Sequence, residues 1–177
     1  ARRNEALKAN RLAVDFYQNV LWKEAAGAPA RAYLKARGLT DETVREFQLG
    51  FAPDAWDSLT AALKKSMPEQ ALVRAGLSMP GKENKGYYDR FRKRIIFPIL
   101  DAKGACIAFG GRAVDDTPAT EASAGGQPKY LNSPETELYT KGRQLYGLFQ
   151  ARTAIRTDDA VIMVEGYMDV IGCHQAG

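Results

Sequence analysis

Histidine and cysteine are almost missing from this sequence. There is one histidine, His174, and two cysteines, Cys106 and Cys173, far apart and in no CxxC pair. That scarcity argues against a disulfide framework and against a cysteine–histidine zinc site, and it fits a reducing cytoplasm. No run of about 18 apolar residues occurs, so no membrane-spanning helix is expected. The opening ARRNEALKANRLAVDF is amphipathic and lacks the apolar block and cleavage site of a signal peptide. No internal repeat is visible. Basic residues are missing from one stretch: residues 157–177 carry Asp158, Asp159, Glu165 and Asp169 and no Lys or Arg. Residues 1–156 carry 25 basic and 17 acidic side chains, a balance of +8. A basic body leading into an acidic end suits a polyanion held near bound cations, and equally a solvated surface with chance clustering.

What is present is ordinary for a globular chain: 177 residues, 45% hydrophobic and 26% charged, enough for one sizeable core or a small domain plus part of another. Residues 3–26 place Leu7, Leu12, Val14, Phe16, Val20 and Leu21 at roughly helical spacing, with Gly27 and Pro29 closing the run. A second helix is expected over 29–37, ending at Gly38. Thr40 can cap a third over DETVREF, with Thr43 where a capping box would have a carboxylate. LGFAP reads as a short strand or turn. Helices over 55–66 and 69–75 are split at Pro68, the second closed by Gly76. PGKENKG is a polar turn. RIIFPIL and ACIAFGGRAV form a hairpin through DAKG, and Pro98 calls for an edge strand or a bulge. Residues 115–128 read as a mobile surface loop, and 134–141 and 143–156 contain helical stretches. AVIMVE is a buried-type strand and GYMDVIGCHQA the next helix. The fold class is therefore α/β (α+β): a helical N-terminal part, a small mixed or antiparallel sheet, then the first strand–helix unit of an α/β domain, whose other members are expected past residue 177.

Four places could carry chemistry. In VEGYMDV, Glu165 ends the expected strand and Asp169 falls in the first turn of the helix. Open α/β sheets place ligands there, and two carboxylates can share a hard cation such as Mg²⁺; an acid in a first turn also simply complements the helix dipole. In YYDRFRKRIIFPI, Arg90, Arg92 and Arg94 would share one face of an extended segment beside Lys93, Tyr87, Tyr88 and Phe91. Such a face can track phosphates while aromatics stack on bases, or it can guard a sheet edge by charge. In FGGR, two glycines allow close approach of a ligand to the backbone and Arg112 can grip a phosphate; a bulge with an exposed Arg is the plain alternative. In PKYLNSPET and the following KGR, Lys129, Lys141 and Arg143 could line the same path, or be scattered surface cations. Trp22, Trp56 and the tyrosines read as core or rim residues, and His174 as structural or exposed.

Taken together, YDRFRKRIIFPI, FGGR, PKYLNSPET, KGRQLYGL and VEGYMDV, preceded by GLTDETVREFQLGFAPDAWDSL, resemble bacterial replicative DNA primases of the DnaG family in order and spacing. The likeness covers nearly the whole chain. It implies an N-terminal mixed α/β subdomain at 1–157 followed at 158–177 by the start of a Toprim subdomain, the metal-binding fold shared with topoisomerases. Glu165 would be its signature glutamate, acting in acid/base chemistry or metal binding, and Asp169 a metal-site acid. A basic ridge for template or primer–template hybrid would include Arg92 or Arg94, Arg112, Lys129 and Lys141. Arg90, Tyr130, Asn132 and Arg143 lie in the same motifs.

The resemblance also implies an activity: DNA-templated synthesis of short RNA primers, with Mg²⁺ or Mn²⁺, NTPs, a single-stranded DNA template and an RNA–DNA hybrid as partners. It places that activity in the bacterial cytoplasm, at the nucleoid. The family's later Toprim acids, its zinc-binding domain and its helicase-contacting C-terminal domain have no counterpart in these 177 residues. The chain alone is therefore expected to be inactive, with a poorly supported 160–177 segment that could dimerise or swap. Loop 115–128 is longer than the family's usual one. Two other readings are a single-strand-binding module without catalytic ancestry, and another Toprim enzyme such as a nuclease or topoisomerase; KYLNSPET and YDRFRKR argue against the latter.

Overall fold

The computed structural model describes residues 2–82, 86–114 and 128–177. The surface loop expected at 115–128 falls, except for Pro128, outside them, as do residues 83–85 of the polar turn.

The long first helix forms as α1, Arg2–Lys23, followed by a 3-10 turn at Ala25–Gly27. Its inner face is cut from small residues: Ala6, Ala9 and Ala13 are fully buried, with Tyr17, Val20 and Leu21 continuing the stripe. Helix α2 spans Ala28–Ala36, and α3, Asp41–Glu46, starts as its sequence requires. Thr40 Oγ1 accepts the Thr43 N–H at 3.2 Å, satisfying one of the orphan donors of the first turn. Strand β1 is Gly50–Ala52, and the short helices α4, Ser58–Leu63, and α5, Glu69–Arg74, follow. Gly76 ends α5 at φ +73°, the left-handed stop that glycine allows.

Strands β2, Ser78–Pro80, and β3, Tyr87–Asp89, make a small ribbon. Strands β4, Arg94–Leu100, and β5, Cys106–Ala113, are the expected hairpin. Its turn is built by Asp101, whose Oδ1 accepts the N–H groups of Lys103 and Ala105, both at 2.9 Å. With β6, Tyr130–Asn132, these strands complete an antiparallel sheet in the order β1-β4-β5-β6.

Strand β4 is central, and its register accommodates Pro98. Pro98 faces Phe109, and Phe109 spends its N–H on Ser133 Oγ (2.9 Å) and its C=O on the Ser133 N–H (2.8 Å), on the far flank. The missing donor of Pro98 thus points toward the β1 side, where pairing covers only Arg94–Ile96. Locally Pro98 is on an edge, and a register shift follows at Ile99/Leu100.

All seven residues of β4 are buried because the sheet has a core on each face. Ile96 and Phe109 pack with Ala9, Ala13, Tyr17, Leu59 and Leu72. Ile95 and Phe97 pack on the other side with Leu34, Val44, Phe47 and Phe51. A strand covered on both faces reads as a continuous apolar run, which is what RIIFPIL is.

Helix α6, Leu148–Asp158, and α7, Tyr167–Ala176, end the chain. Two expectations are corrected here, the helix at 134–141 and the strand AVIMVE. Residues 134–141 are not helical; only a 3-10 turn, Lys141–Arg143, forms, after Pro134 and an irregular stretch. The helical stretch expected within 143–156 forms as α6, which begins at Leu148 after Gly147 at φ +81°. AVIMVE is not a buried strand: residues 160–164 are irregular, with Val161, Ile162 and Met163 exposed by 58%, 81% and 65%. No described strand lies alongside to take its hydrogen bonds, and a strand does not stand alone. Helix α7 is nevertheless docked, through buried Met168 and Ile171. No helix among the described residues is long and apolar enough to cross a membrane.

Candidate nucleic-acid interface and acidic groove

The arginines of the YDRFRKRIIFPI motif do not share a face. The segment is not continuously extended: β3 ends at Asp89, and Lys93 turns the chain at φ +52° before β4 begins. Each arginine therefore goes its own way. Arg90 donates from Nε (3.0 Å) and Nη2 (2.7 Å) to the Asn132 carbonyl on β6. Arg92 Nη1 donates to the Asp89 carbonyl at 2.7 Å, and its guanidinium lies 4.8 Å from the Trp56 ring centroid and 5.4 Å from that of Tyr88. Arg94 is buried, 1% exposed, and donates to the Lys129 carbonyl at 3.2 Å. Burial, and then the neighbouring Arg92 charge, lower the Arg94 guanidinium from its ordinary value.

Arg112 is also buried rather than displayed. Its Nη1 donates to the Ala113 carbonyl at 2.8 Å, and its guanidinium sits 4.3 Å from the Tyr33 ring and 6.0 Å from the Tyr130 ring. The two glycines before it serve packing, not ligand approach. A Cβ at Gly110 would lie 2.5 Å from the Tyr167 ring, and one at Gly111 2.8 Å from the Phe91 ring. Lys129 has its backbone pinned by Arg94 and by the Ala113 N–H (2.9 Å), leaving an exposed side chain. Lys141 and Arg143 are exposed on the 3-10 turn. The structure thus gathers Arg90, Arg94, Arg112, Lys129, Tyr130 and Asn132 around β6, and puts Arg92 on a separate aromatic stack.

That stack was not legible as a site. Trp56 is 60% exposed and lies parallel to Tyr88, with centroids 4.7 Å apart and planes 25° apart. A large aromatic face left in water beside an arginine is a surface on which an unpaired base can stack. Asp89, also unremarked in the sequence, supports this corner. It is 1% exposed and accepts from Leu59 N (2.8 Å), Thr60 N (2.9 Å) and Thr60 Oγ1 (2.7 Å) at the start of α4. Burial raises its carboxyl above the ordinary value, against the pull of those hydrogen bonds.

Glu165 and Asp169 are both exposed and line one shallow groove of about 580 Å³, with Val164, Met168, Gly172 and Cys173. Asp169 also caps its own helix, taking the Gly166 N–H on Oδ2 at 3.1 Å. The helix-start reading of this acid is therefore realised, and its other oxygen leaves the metal reading intact. Two carboxylates facing one groove suit a hard cation in donor type. No group of three or more metal-ligating side chains occurs among the described residues, so the pair would supply part of a coordination sphere. Cys106 and Cys173 are free. His174 packs on Phe47 and sits 2.9 Å from Glu46 Oε1, a fastening role.

A helical body on a two-faced sheet, with arginines gathered on one edge strand and an acidic helix start beside it, has close counterparts. The family model described as the DNA primase catalytic core, N-terminal domain, matches residues 16–152, and the chain belongs to that family. It is 44% identical over 171 residues to a DNA primase of Deinococcus radiodurans and 46% identical over 166 residues to one of Pseudomonas aeruginosa. These alignments cover 96% and 93% of this chain. The RNA polymerase domain of Mycobacterium tuberculosis primase DnaG, solved in complex with double-stranded DNA, superposes with a TM-score of 0.87 at 40% identity over 99% of this chain. A DnaG primase catalytic domain bound to single-stranded DNA does so with 0.84 at 39% identity over 98%. The chain spans about a quarter of the curated relatives, 28% and 24%, and about half of the solved chains, 53% and 51%. Family membership decides against a single-strand-binding module without catalytic ancestry and against a nuclease or topoisomerase.

Proposed function

We propose that this chain is the template-handling part of a DNA-templated RNA polymerase that makes short RNA primers, residues 1–157 forming the DNA-binding body and 158–177 beginning a Toprim metal-binding subdomain. The observation that carries this reading is the convergence on β6. Arg90 is tied to its backbone, Arg94 to the carbonyl of Lys129 just before it, and Arg112 stacks beside it, while Tyr130 lies 6.3 Å from the ring of Tyr167, the residue between Glu165 and Asp169 in the chain. A cationic path thereby runs up to a pair of acids. Two relatives bind double- or single-stranded DNA with the same fold.

Within this reading the buried arginines shape the path, and exposed Lys129, Lys141 and Arg143, with half-buried Arg92, meet phosphates of the template or of the RNA–DNA hybrid and the NTPs. Contacts of this kind position the strand without reading its sequence. The Trp56–Tyr88–Arg92 stack offers a sequence-tolerant aromatic face to an unpaired base. Glu165 and Asp169 would hold Mg²⁺ or Mn²⁺, which when bound neutralises the charge of nucleotide phosphates. One carboxylate pair holds Mg²⁺ with water and substrate phosphates filling its other places, and phosphoryl-transfer sites recruit further acids beside such a pair. The 177 residues by themselves are accordingly expected to bind DNA and to make no primers.

Titration of labelled single-stranded DNA at several salt concentrations tests the interface. Lys129→Ala should weaken binding and lower the salt slope by about 0.7, the value for one phosphate contact on a single strand. Trp56→Ala should weaken binding with the slope unchanged. Unaltered affinity in both variants would refute the interface. Lys129 is preferred to Arg112 for this purpose because Arg112 is buried, and its removal would disturb the fold as well.

A further inference from the structure

Tyr167 stands between the two acids and is held more tightly than either. It is the first residue of α7, two positions after Glu165 and two before Asp169. Its ring stacks on Phe97 with centroids 5.0 Å apart and planes 11° apart, and meets Tyr146 edge-on at 4.7 Å. Gly110 makes room for it; a Cβ there would lie 2.5 Å from the ring. Its hydroxyl donates to Asn132 Oδ1 at 2.7 Å. Asn132 is the β6 residue paired with Gly110, and its carbonyl is the one that receives both Arg90 hydrogen bonds. One asparagine thus joins the arginine path through its backbone to the acid segment through its side chain.

The chain on either side makes this connection matter. Before Glu165, residues 160–164 are irregular and largely exposed. The acids are therefore held from the α7 side alone. At the far end of α7, Gln175 accepts the Thr40 N–H at 2.8 Å and donates to the Gly38 carbonyl at 2.9 Å. At the near end, the fastening polar contact to the body is the Tyr167–Asn132 bond.

We infer that Tyr167 is a positioning residue: its hydroxyl, bonded to Asn132, sets the place of Glu165 and Asp169 relative to the arginines gathered around β6. The Asn132 side chain then serves this strut instead of the nucleic acid. The inference rests on the polymerase reading above, because a set distance between acids and template path matters only where both act on one substrate.

Tyr167→Phe keeps the ring and removes the bond, and two measurements decide the matter. In the 177-residue chain, hydrogen exchange at residues 165–170 should quicken about fivefold while β4 and β5 keep their protection, as one net hydrogen bond of about 1 kcal/mol implies. In the protein expressed from its whole gene, kcat for primer synthesis should fall about tenfold, the scale of a small misplacement of reacting groups. The Kd for single-stranded DNA and the KM for NTPs should stay within about twofold, a split that general loosening would not give. Asn132→Ala should give the same kcat loss, and the double variant no more than either alone. Additive losses, or a Tyr167→Phe enzyme as fast as wild type, would overturn the strut. A wild-type protein that makes no primers would overturn the polymerase reading and the strut with it. In that case quickened exchange in Tyr167→Phe would still show that the fastening exists, so the two failures are told apart.

Discussion

Two apolar runs of this chain meet opposite fates. Ile95–Leu100 is buried along its whole length in β4, whereas Val161, Ile162 and Met163 stand mostly in water. Their compositions are alike. What differs is the company. Strand β4 has β5 along one flank, β1 along part of the other, and a hydrophobic cluster on each face. Residues 160–164 have no strand beside them among the described residues and form none. Apolar composition supplies a reason to be buried; partners for the backbone N–H and C=O groups decide whether a strand forms.

The largest test of this contrast is a pair of truncations. Phe97→Ala should cost about 3–5 kcal/mol in denaturant unfolding, the usual penalty for emptying a packed aromatic site. Ile162→Ala should cost less than about 0.5 kcal/mol, as at an ordinary surface position. Comparable losses would show that 160–164 is packed in solution and would dissolve the contrast.

A smaller effect is expected where α7 meets the sheet. Gly110→Ala puts a methyl group against the Tyr167 ring and should cost about 1–3 kcal/mol, the range for an overpacked site. Protection from hydrogen exchange should fall in α7 before it falls in α1. Uniform loss would mean that α7 and the sheet open together.

The smallest concerns Asp89 and pH. Its folded carboxyl is raised from the ordinary 3.8. A raised acid binds its proton more readily in the folded state, so its contribution is fully present below the ordinary value and is lost as pH rises through the raised one. The stability advantage of wild type over Asp89→Asn should therefore be larger near pH 3 than at pH 7. A gap that widens with pH would mean that the hydrogen bonds from Leu59 and Thr60 outweigh burial.

Much of the fold was readable because the signals are local. Thr40 caps α3, Gly76 ends α5, and DAKG turns the β4–β5 hairpin through Asp101. The site was readable as a set of residues and not as an arrangement. Alternation placed Arg90, Arg92 and Arg94 on one face, but the left-handed Lys93 breaks the alternation. Arg112 looked like a displayed cation and is 3% exposed between tyrosines, one of them Tyr33 from a distant helix. The glycines of FGGR looked like room for a ligand and are room for Phe91 and Tyr167. Asp89 and Trp56 carried no signal of their own, since their roles depend on residues about thirty positions apart that meet only when the chain folds.

By itself, the sequence determined the elements that rest on neighbours in the chain: where most helices start and stop, the hairpin, the two-faced strand, and the order of motifs that marks the family. Tertiary structure alone decided which arginines are buried and which meet solvent, and that Asn132 ties Arg90 to Tyr167. The reason is range. Caps, turns and periodicity act within a few residues. Burial and cross-strand hydrogen bonds are settled between groups far apart in sequence, whose approach no local pattern records.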